Sequence, residues 1–160
     1  MVPHKWYYAF YPKCACLATS VDERGASNVF TASWVCPASF EPPFVSLAVG
    51  NTRASHSNIS RSREFVVCVM PAERESAARV CGSKSGRDCD KFREAGLTAL
   101  PARKVKPPLI KEALACIECR VEKECEAGDH TVFVARVLEF HEFAKGKKLF
   151  HAGEGKFVGL

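Results

Sequence analysis

The sequence contains no apolar run approaching the roughly 20 residues that a membrane-spanning helix requires, so no helical span is expected. Neither GxGxxG nor GxxxxGKS/T occurs, and a nicotinamide or other nucleotide would have to be held without a Rossmann or P-loop domain. Strands do not alternate with long helical segments, which argues against a doubly wound parallel sheet. Internal repeats and low-complexity tracts are absent as well. The first residues, Met1-Val2-Pro3-His4-Lys5-Trp6, lack the long apolar core of a signal peptide, so a cytoplasmic protein with no membrane partner is expected. Acidic residues are missing from Asn51 to Arg63, a stretch that holds three arginines, Arg53, Arg61 and Arg63.

What is present is a chain of 160 residues, 47% apolar, enough for one domain over residues 1–160 with its own core. Its formal charge of +5 is modest. A basic patch confined to one stretch fits a small phosphorylated anion. A nucleic-acid reader would carry a larger excess interleaved with aromatics, so no nucleic-acid partner is expected. Nine cysteines is an odd count and several fall inside apolar strand-like runs, so reduced, buried thiols are expected rather than a disulfide framework.

Cys14 to Ser20 is small and apolar, Val21-Asp22-Glu23-Arg24-Gly25 carries hairpin chemistry, and Asn28 to Val35 is the return strand. Pro37 and Glu41-Pro42-Pro43 are then expected to break the ladder, because proline has no N–H to donate. From Phe44 a strand points Val45, Leu47 and Val49 one way and the small Ser46 and Ala48 the other, leaving room for something flat. Thr52 to Ile59 supplies hydroxyl and amide side chains suited to cap a helix start. With Arg53 beside it, such an N-terminus is an anion seat, though ordinary capping explains the same residues equally well.

Glu64 to Met70 is apolar enough to read as a central strand covered on both faces. Ala72 to Cys81 reads as a helix stopped by Gly82, Ser83 to Arg87 as a polar loop, and Asp90 to Glu94 as a short helix ended by Gly96. Leu97 to Pro108, punctuated by three prolines, reads as a surface excursion over the pocket. Beyond it Ala115, Ile117, Cys119 and Val121 share a strand face opposite Glu118, Arg120 and Glu122. Glu126 to His130 is a turn into the strand Thr131 to Phe140, and Leu149 to Phe157 is a last strand and glycine turn delivering an aromatic. Many short strands with few helices indicate an antiparallel β-barrel or sandwich with peripheral helices.

Cys116-x-x-Cys119 invites a zinc or redox reading, but residues three apart on a strand face opposite sides, so structural thiols are expected. Cys14 and Cys16 share a face, and no second ligand pair follows them. Nothing selects a Cys/His nucleophile pair. Taken singly, His130 reads as a surface turn residue and Trp34 as core.

Taken together, four stretches resemble the flavin reductase-like family, the FMN-binding split-barrel proteins that include flavoredoxins and archaeal ferric or flavin reductases. These are Thr31-Ala32-Ser33-Trp34; Pro42-Pro43-Phe44-Val45 leading to Asn51-Thr52-Arg53-Ala54-Ser55 and Asn58-Ile59; Lys91-Phe92 before Gly96-Leu97; and Gly128-Asp129-His130-Thr131. The resemblance implies a mainly β fold, a six-stranded antiparallel Greek-key barrel, forming a homodimer with FMN near the interface. It implies that Thr31, Ala32, Ser33 and Trp34 contact the flavin, that Ser46, Leu47, Ala48 and Val49 lie along the isoalloxazine, and that Asn51, Arg53, Ser55, Asn58 and Lys91 gather at the phosphate end. His130, the one residue given a catalytic role, and Phe157 would sit near the ring. No metal is implied. The activity it implies is NAD(P)H-dependent flavin or ferric reduction. A flavoredoxin-type carrier reduced by a protein partner, and a flavin-free binding protein on the same barrel, are the alternatives.

Overall fold

In the computed structural model, which describes residues 2–160, the chain enters its sheets through β1 (Lys13–Cys14) and β2 (Cys16–Val21). Asp22 Oδ1 accepts the backbone N–H groups of Arg24 and Ala26, so the expected hairpin forms and β3 (Ser27–Ala32) returns along β2. The chain breaks at Ser33-Trp34 and resumes as β4 (Val35–Ser39), which pairs with β5 (Phe44–Gly50). Pro37 therefore lies within a strand, where the sequence predicts a break. β4 is a sheet edge, and an edge residue without an N–H forfeits no ladder bond.

Next come α1 (Ala54–Ser62), β6 (Glu64–Val69), α2 (Glu75–Ser83) and α3 (Lys91–Glu94). The short pair β7 (Ala99–Leu100) and β8 (Leu109–Ile110) precedes a long hairpin of β9 (Ala115–Ala127) and β10 (His130–Glu142), and β11 (Leu149–Gly153) and β12 (Lys156–Gly159) end the chain. Gly128, at φ +65°, is the first residue of the two-residue turn between β9 and β10, the type II′ arrangement whose twist suits a hairpin.

Seven strands form one antiparallel sheet in the order β3-β2-β6-β9-β10-β5-β4. Its edges, β3 and β4, are consecutive in the chain with only Ser33 and Trp34 between them. A link that short reaches roughly 11 Å at full stretch. The edges must therefore meet, and the sheet closes into a barrel. Taken as one strand bent at Ser33-Trp34, β3 and β4 leave six staves. Counted apart they make seven, with a three-stranded sheet (β1-β11-β12) and the β7–β8 pair alongside.

Alternate side chains sort into two cores. Cys16, Ala18, Phe65, Val67, Leu47, Cys119 and Phe133 fill the barrel, while Leu17, Val66, Cys68 and Cys116 face outward and are covered by Ala77, Ala78 and Cys81 of α2. This double burial is why Glu64 to Met70 is apolar throughout. Cys116 and Cys119 fall in different cores, as their spacing predicts, and all nine cysteines are free.

Two expectations are corrected here. Gly82 lies inside α2 rather than after it: the helix runs one residue further and ends where Lys84 turns to extended backbone. The segment Leu97 to Pro108 does not cover the pocket. Glu118, on the strand face that reads as solvent-exposed, is completely buried beneath it. Its carboxylate accepts the backbone N–H groups of Arg103 (2.9 Å), Lys104 (2.6 Å) and Val105 (3.1 Å) and meets His141 Nε2 at 2.7 Å. Glu64 takes the N–H of Lys106 at 2.9 Å, so the excursion is folded down onto β6 and β9.

Candidate functional site

Where β5 hands over to α1, Arg53 occupies the cap position with extended backbone and no side chain caps the helix. The hydroxyls and amides of Thr52 to Ile59 are thus not used as the sequence predicts. In the first turn the His56 N–H bonds to the carbonyl of Arg53 at 3.0 Å, which leaves the N–H groups of Ala54 and Ser55 open at the positive end of the helix.

This helix start opens into a cavity of 380 Å³, within the roughly 300–1,000 Å³ usual for small-molecule sites. Three kinds of lining meet in it. Ala32, Trp34, Ala48 and Val49 are apolar; Asn28, Thr31, Ser33 and Ser55 are neutral and polar; Arg53, Lys84, Arg87 and Lys91 are cationic, and no carboxylate lines the wall. Arg87 reaches the carbonyl of Thr52 at 3.2 Å, which draws the loop after α2 against the start of α1. Lys84 is paired with Glu94. Lys91 is only 5% exposed and donates from Nζ to the carbonyl of Cys81 at 3.0 Å. Burial pushes its pKa down, the thiols of Cys81 and Cys89 oppose this, and Arg53 adds to it. Asn28 Oδ1 is buried with no hydrogen-bond partner. It is an acceptor, so a ligand hydroxyl satisfies it and a phosphate does not.

His130 stands at the head of β10. A carboxylate only accepts, so the 2.8 Å contact with Asp129 Oδ1 puts the proton on Nδ1 and leaves Nε2 as the free nitrogen. The same hydrogen bond holds the Asp129 carboxyl below its ordinary pKa. The His130 ring stacks on Trp34 with centroids 4.7 Å apart and planes at 29°. Trp34, His130 and Ala48 also line a second cavity of 690 Å³, whose other walls include Trp6, Tyr7 and Tyr11. Among the described residues no group of three or more His, Cys, Asp or Glu is placed to hold a metal.

A family model described as flavin reductase like domain matches residues 8–159. The chain belongs to the flavin reductase-like family. An uncharacterized protein of Archaeoglobus fulgidus is 40% identical over 155 residues, covering 91% of this chain and 86% of its own. The FMN reductase (NADH) RutF of Bradyrhizobium diazoefficiens is 26% identical over 144 residues, covering 87% and 78%. In fold, the chain superposes on the FMN-binding protein of Thermus thermophilus solved with 1-cyclohex-2-enone, at a TM-score of 0.89 and 23% identity, covering 99% of this chain and 92% of that one.

Of the residues expected from likeness to flavin reductases, Thr31, Ala32, Ser33, Trp34, Ala48, Val49, Arg53, Ser55, Lys91 and His130 all line the first cavity. Five do not. Leu47 is wholly inside the barrel core, because the strand period sends it opposite to Ala48. Ser46 spends its hydroxyl on the carbonyl of Cys36 at 3.2 Å. Asn51 donates to the carbonyl of Gly128 and accepts from the Thr131 hydroxyl, which fixes the turn carrying His130. Asn58 is buried and donates to Ser20 Oγ at 3.3 Å. Phe157 stacks on His151 and lies under Arg79, away from the lining. Lys84-Ser85-Gly86-Arg87, which the sequence presents only as part of a polar loop, also lines the cavity; its two cations, hydroxyl and glycine straight after a helix are the signal that could have found it.

Proposed function

We propose that this protein is an FMN-dependent flavin or ferric reductase that draws electrons from NADH or NADPH. The observation that carries this reading is the cavity lining. It joins an apolar slot, an unsatisfied acceptor and a cationic group in which Arg53 and Lys91 have no carboxylate partner among the described residues, which suit in turn the ring, the polyol and the phosphate of FMN. When bound, FMN supplies the two-electron chemistry that links a reduced nicotinamide to free flavin, ferric iron or a redox protein.

The chain's own residues bind and orient. Arg53, Lys91 and the open N–H groups of Ala54 and Ser55 hold the phosphate, and Ser55 adds a hydroxyl. The methyl of Ala48 leaves the ring its space. Asp129 fixes the tautomer of His130, so that Nε2 is available to orient a substrate carboxamide or accept its hydrogen bond. The second cavity offers the nicotinamide a place against the same Trp34–His130 wall. The chain pairs with a second copy through exposed aromatics, of which Trp6, Phe10, Phe40, Phe140 and Phe143 are candidates. Nine free thiols fit a reducing cytoplasm.

Anaerobic stopped-flow tests the reading directly: the visible flavin band of the purified protein bleaches on adding NADH or NADPH. Bleaching by dithionite but by neither nicotinamide makes it a flavoredoxin-type carrier instead. A colourless preparation that takes up no FMN makes it a flavin-free binder. Arg53→Ala is expected to raise the Kd for FMN about 10- to 100-fold, the loss of a charge-assisted contact, and Ser55→Ala several-fold. Fluorescence titration measures both, and unchanged Kd in both variants removes the phosphate assignment.

A further inference from the structure

Cys14 and Cys16 flank Ala15, the one residue that separates β1 from β2. The interruption lets the two thiols converge, with Sγ atoms 3.7 Å apart. They are unequal. Cys14 is half-buried and Cys16 almost completely buried at 4% exposure. The Cys16 thiol hydrogen-bonds to Cys14 and, against burial and with help from Lys148, lowers the Cys14 thiol to about 7, while Cys16 is pushed well up. A partly exposed thiolate beside a buried second thiol is the pairing that disulfide-exchanging sites use, the first sulfur attacking and the second resolving.

We propose that Cys14 and Cys16 form a redox-active dithiol that reduces small-molecule disulfides by thiol–disulfide exchange. The Cys14 thiolate attacks one sulfur of the substrate; the substrate S–S bond breaks and its other half leaves as a thiolate, which takes up a proton. Cys16 then loses its proton and attacks Cys14 Sγ, breaking the mixed disulfide and releasing the second substrate thiol. One disulfide is reduced by two electrons and the Cys14–Cys16 dithiol is oxidised by two, closing an S–S bond. The sulfurs approach by about 1.7 Å to bond, given an S–S length of about 2.0 Å. This chemistry uses no flavin and stands apart from the reductase reading.

Three other thiol environments serve as internal comparisons. Cys36 and Cys125 are exposed and have no thiol neighbour at hydrogen-bonding distance, so they form mixed disulfides but cannot resolve them. Cys68 and Cys116 face each other at 3.1 Å across β6 and β9, but both are completely buried in the outer core and no reagent reaches them. Trypsin cuts after Lys13 and Arg24, which puts Cys14 and Cys16 alone together in one peptide.

The test treats the FMN-loaded protein, free of oxygen, with excess bis(2-hydroxyethyl) disulfide, then with iodoacetamide, trypsin and mass spectrometry. The expected product is the Cys14–Arg24 peptide lighter by two hydrogens and unalkylated, with two equivalents of mercaptoethanol released from that site. Cys16→Ser should stop at a stable mercaptoethanol adduct on Cys14. A wild-type peptide carrying two alkyl groups, or a persistent adduct without ring closure, overturns the proposal. So does closure that is no faster than adduct formation at Cys36.

Discussion

Glu118→Ala is expected to lower the free energy of unfolding by about 3–5 kcal/mol, since it removes a buried charge and orphans the backbone donors around it. At this chain length that corresponds to a fall in Tm of roughly 10 °C. The carboxylate is completely buried and is the shared acceptor for Arg103, Lys104, Val105 and His141. Without it the segment from Pro101 to Lys106 keeps the Glu64 and Arg120 contacts at its Lys104–Lys106 end but loses the acceptor that gathers three of its amides, so trypsin should cut faster after the exposed Arg103 and Lys104. The acid limb gives a second readout. Burial pushes the Glu118 carboxyl up, but the N–H of Arg103, His141 and the N–H of Lys104 together hold it below its ordinary value. A depressed carboxyl contributes stability that is complete above the unfolded pKa, about 4.3, and is lost as pH falls through the lower folded value. Glu118→Gln removes that dependence, so its denaturation midpoints should vary less below about pH 4.3 than those of the parent. An alanine variant with parental stability, uncut by trypsin, would show that the excursion is held by other contacts.

Glu118 also marks the limit of what the sequence discloses. Alternation identified Val45, Leu47 and Val49 as core and Ala48 as the open face, and it separated Cys116 from Cys119. The apolar run of Glu64 to Met70 marks that strand as doubly buried, and turn chemistry marks Asp22 to Gly25 as a hairpin tip. These follow from local period and turn chemistry, which neighbours in the chain determine. The same alternation sent Glu118 to solvent, because what buries it is a segment 13–15 residues earlier whose amides converge on it. Pro37 was misplaced for a like reason: whether a strand is an edge depends on its partners, not on its residues. At the site, the half contributed by one stretch of chain was legible. The Lys84–Arg87 loop was not, because only the packing of α2 on β3 and the Arg87 bond to Thr52 bring it across. Asn58 and Asn51 have ligand chemistry but spend it on Ser20, Gly128 and Thr131.

Lys91→Met is expected to move stability and cofactor binding in opposite directions. The ammonium is nearly enclosed, its recorded bond is to the carbonyl of Cys81, and no carboxylate pairs with it among the described residues. A buried cation so placed is a cost to the cofactor-free fold, and burial accordingly pushes its pKa down. A lysine with a depressed folded pKa destabilises fully at pH below that value, and the penalty fades as pH climbs toward the unfolded value near 10.4. Methionine keeps the length and the packing, removes the charge and gives up one hydrogen bond. The cofactor-free variant should therefore gain about 1–2 kcal/mol at neutral pH and lose the rise in stability on the alkaline side. Binding goes the other way, because a phosphate dianion beside Arg53 and Lys91 turns that cost into attraction. Losing it should weaken FMN about 10- to 100-fold. Thermal unfolding with and without saturating FMN reads both at once: a higher Tm without cofactor and a smaller upward shift with it. A lower cofactor-free Tm together with an unchanged FMN shift would make Lys91 a prop for the end of α2 and leave Arg53 and the α1 terminus to hold the phosphate alone.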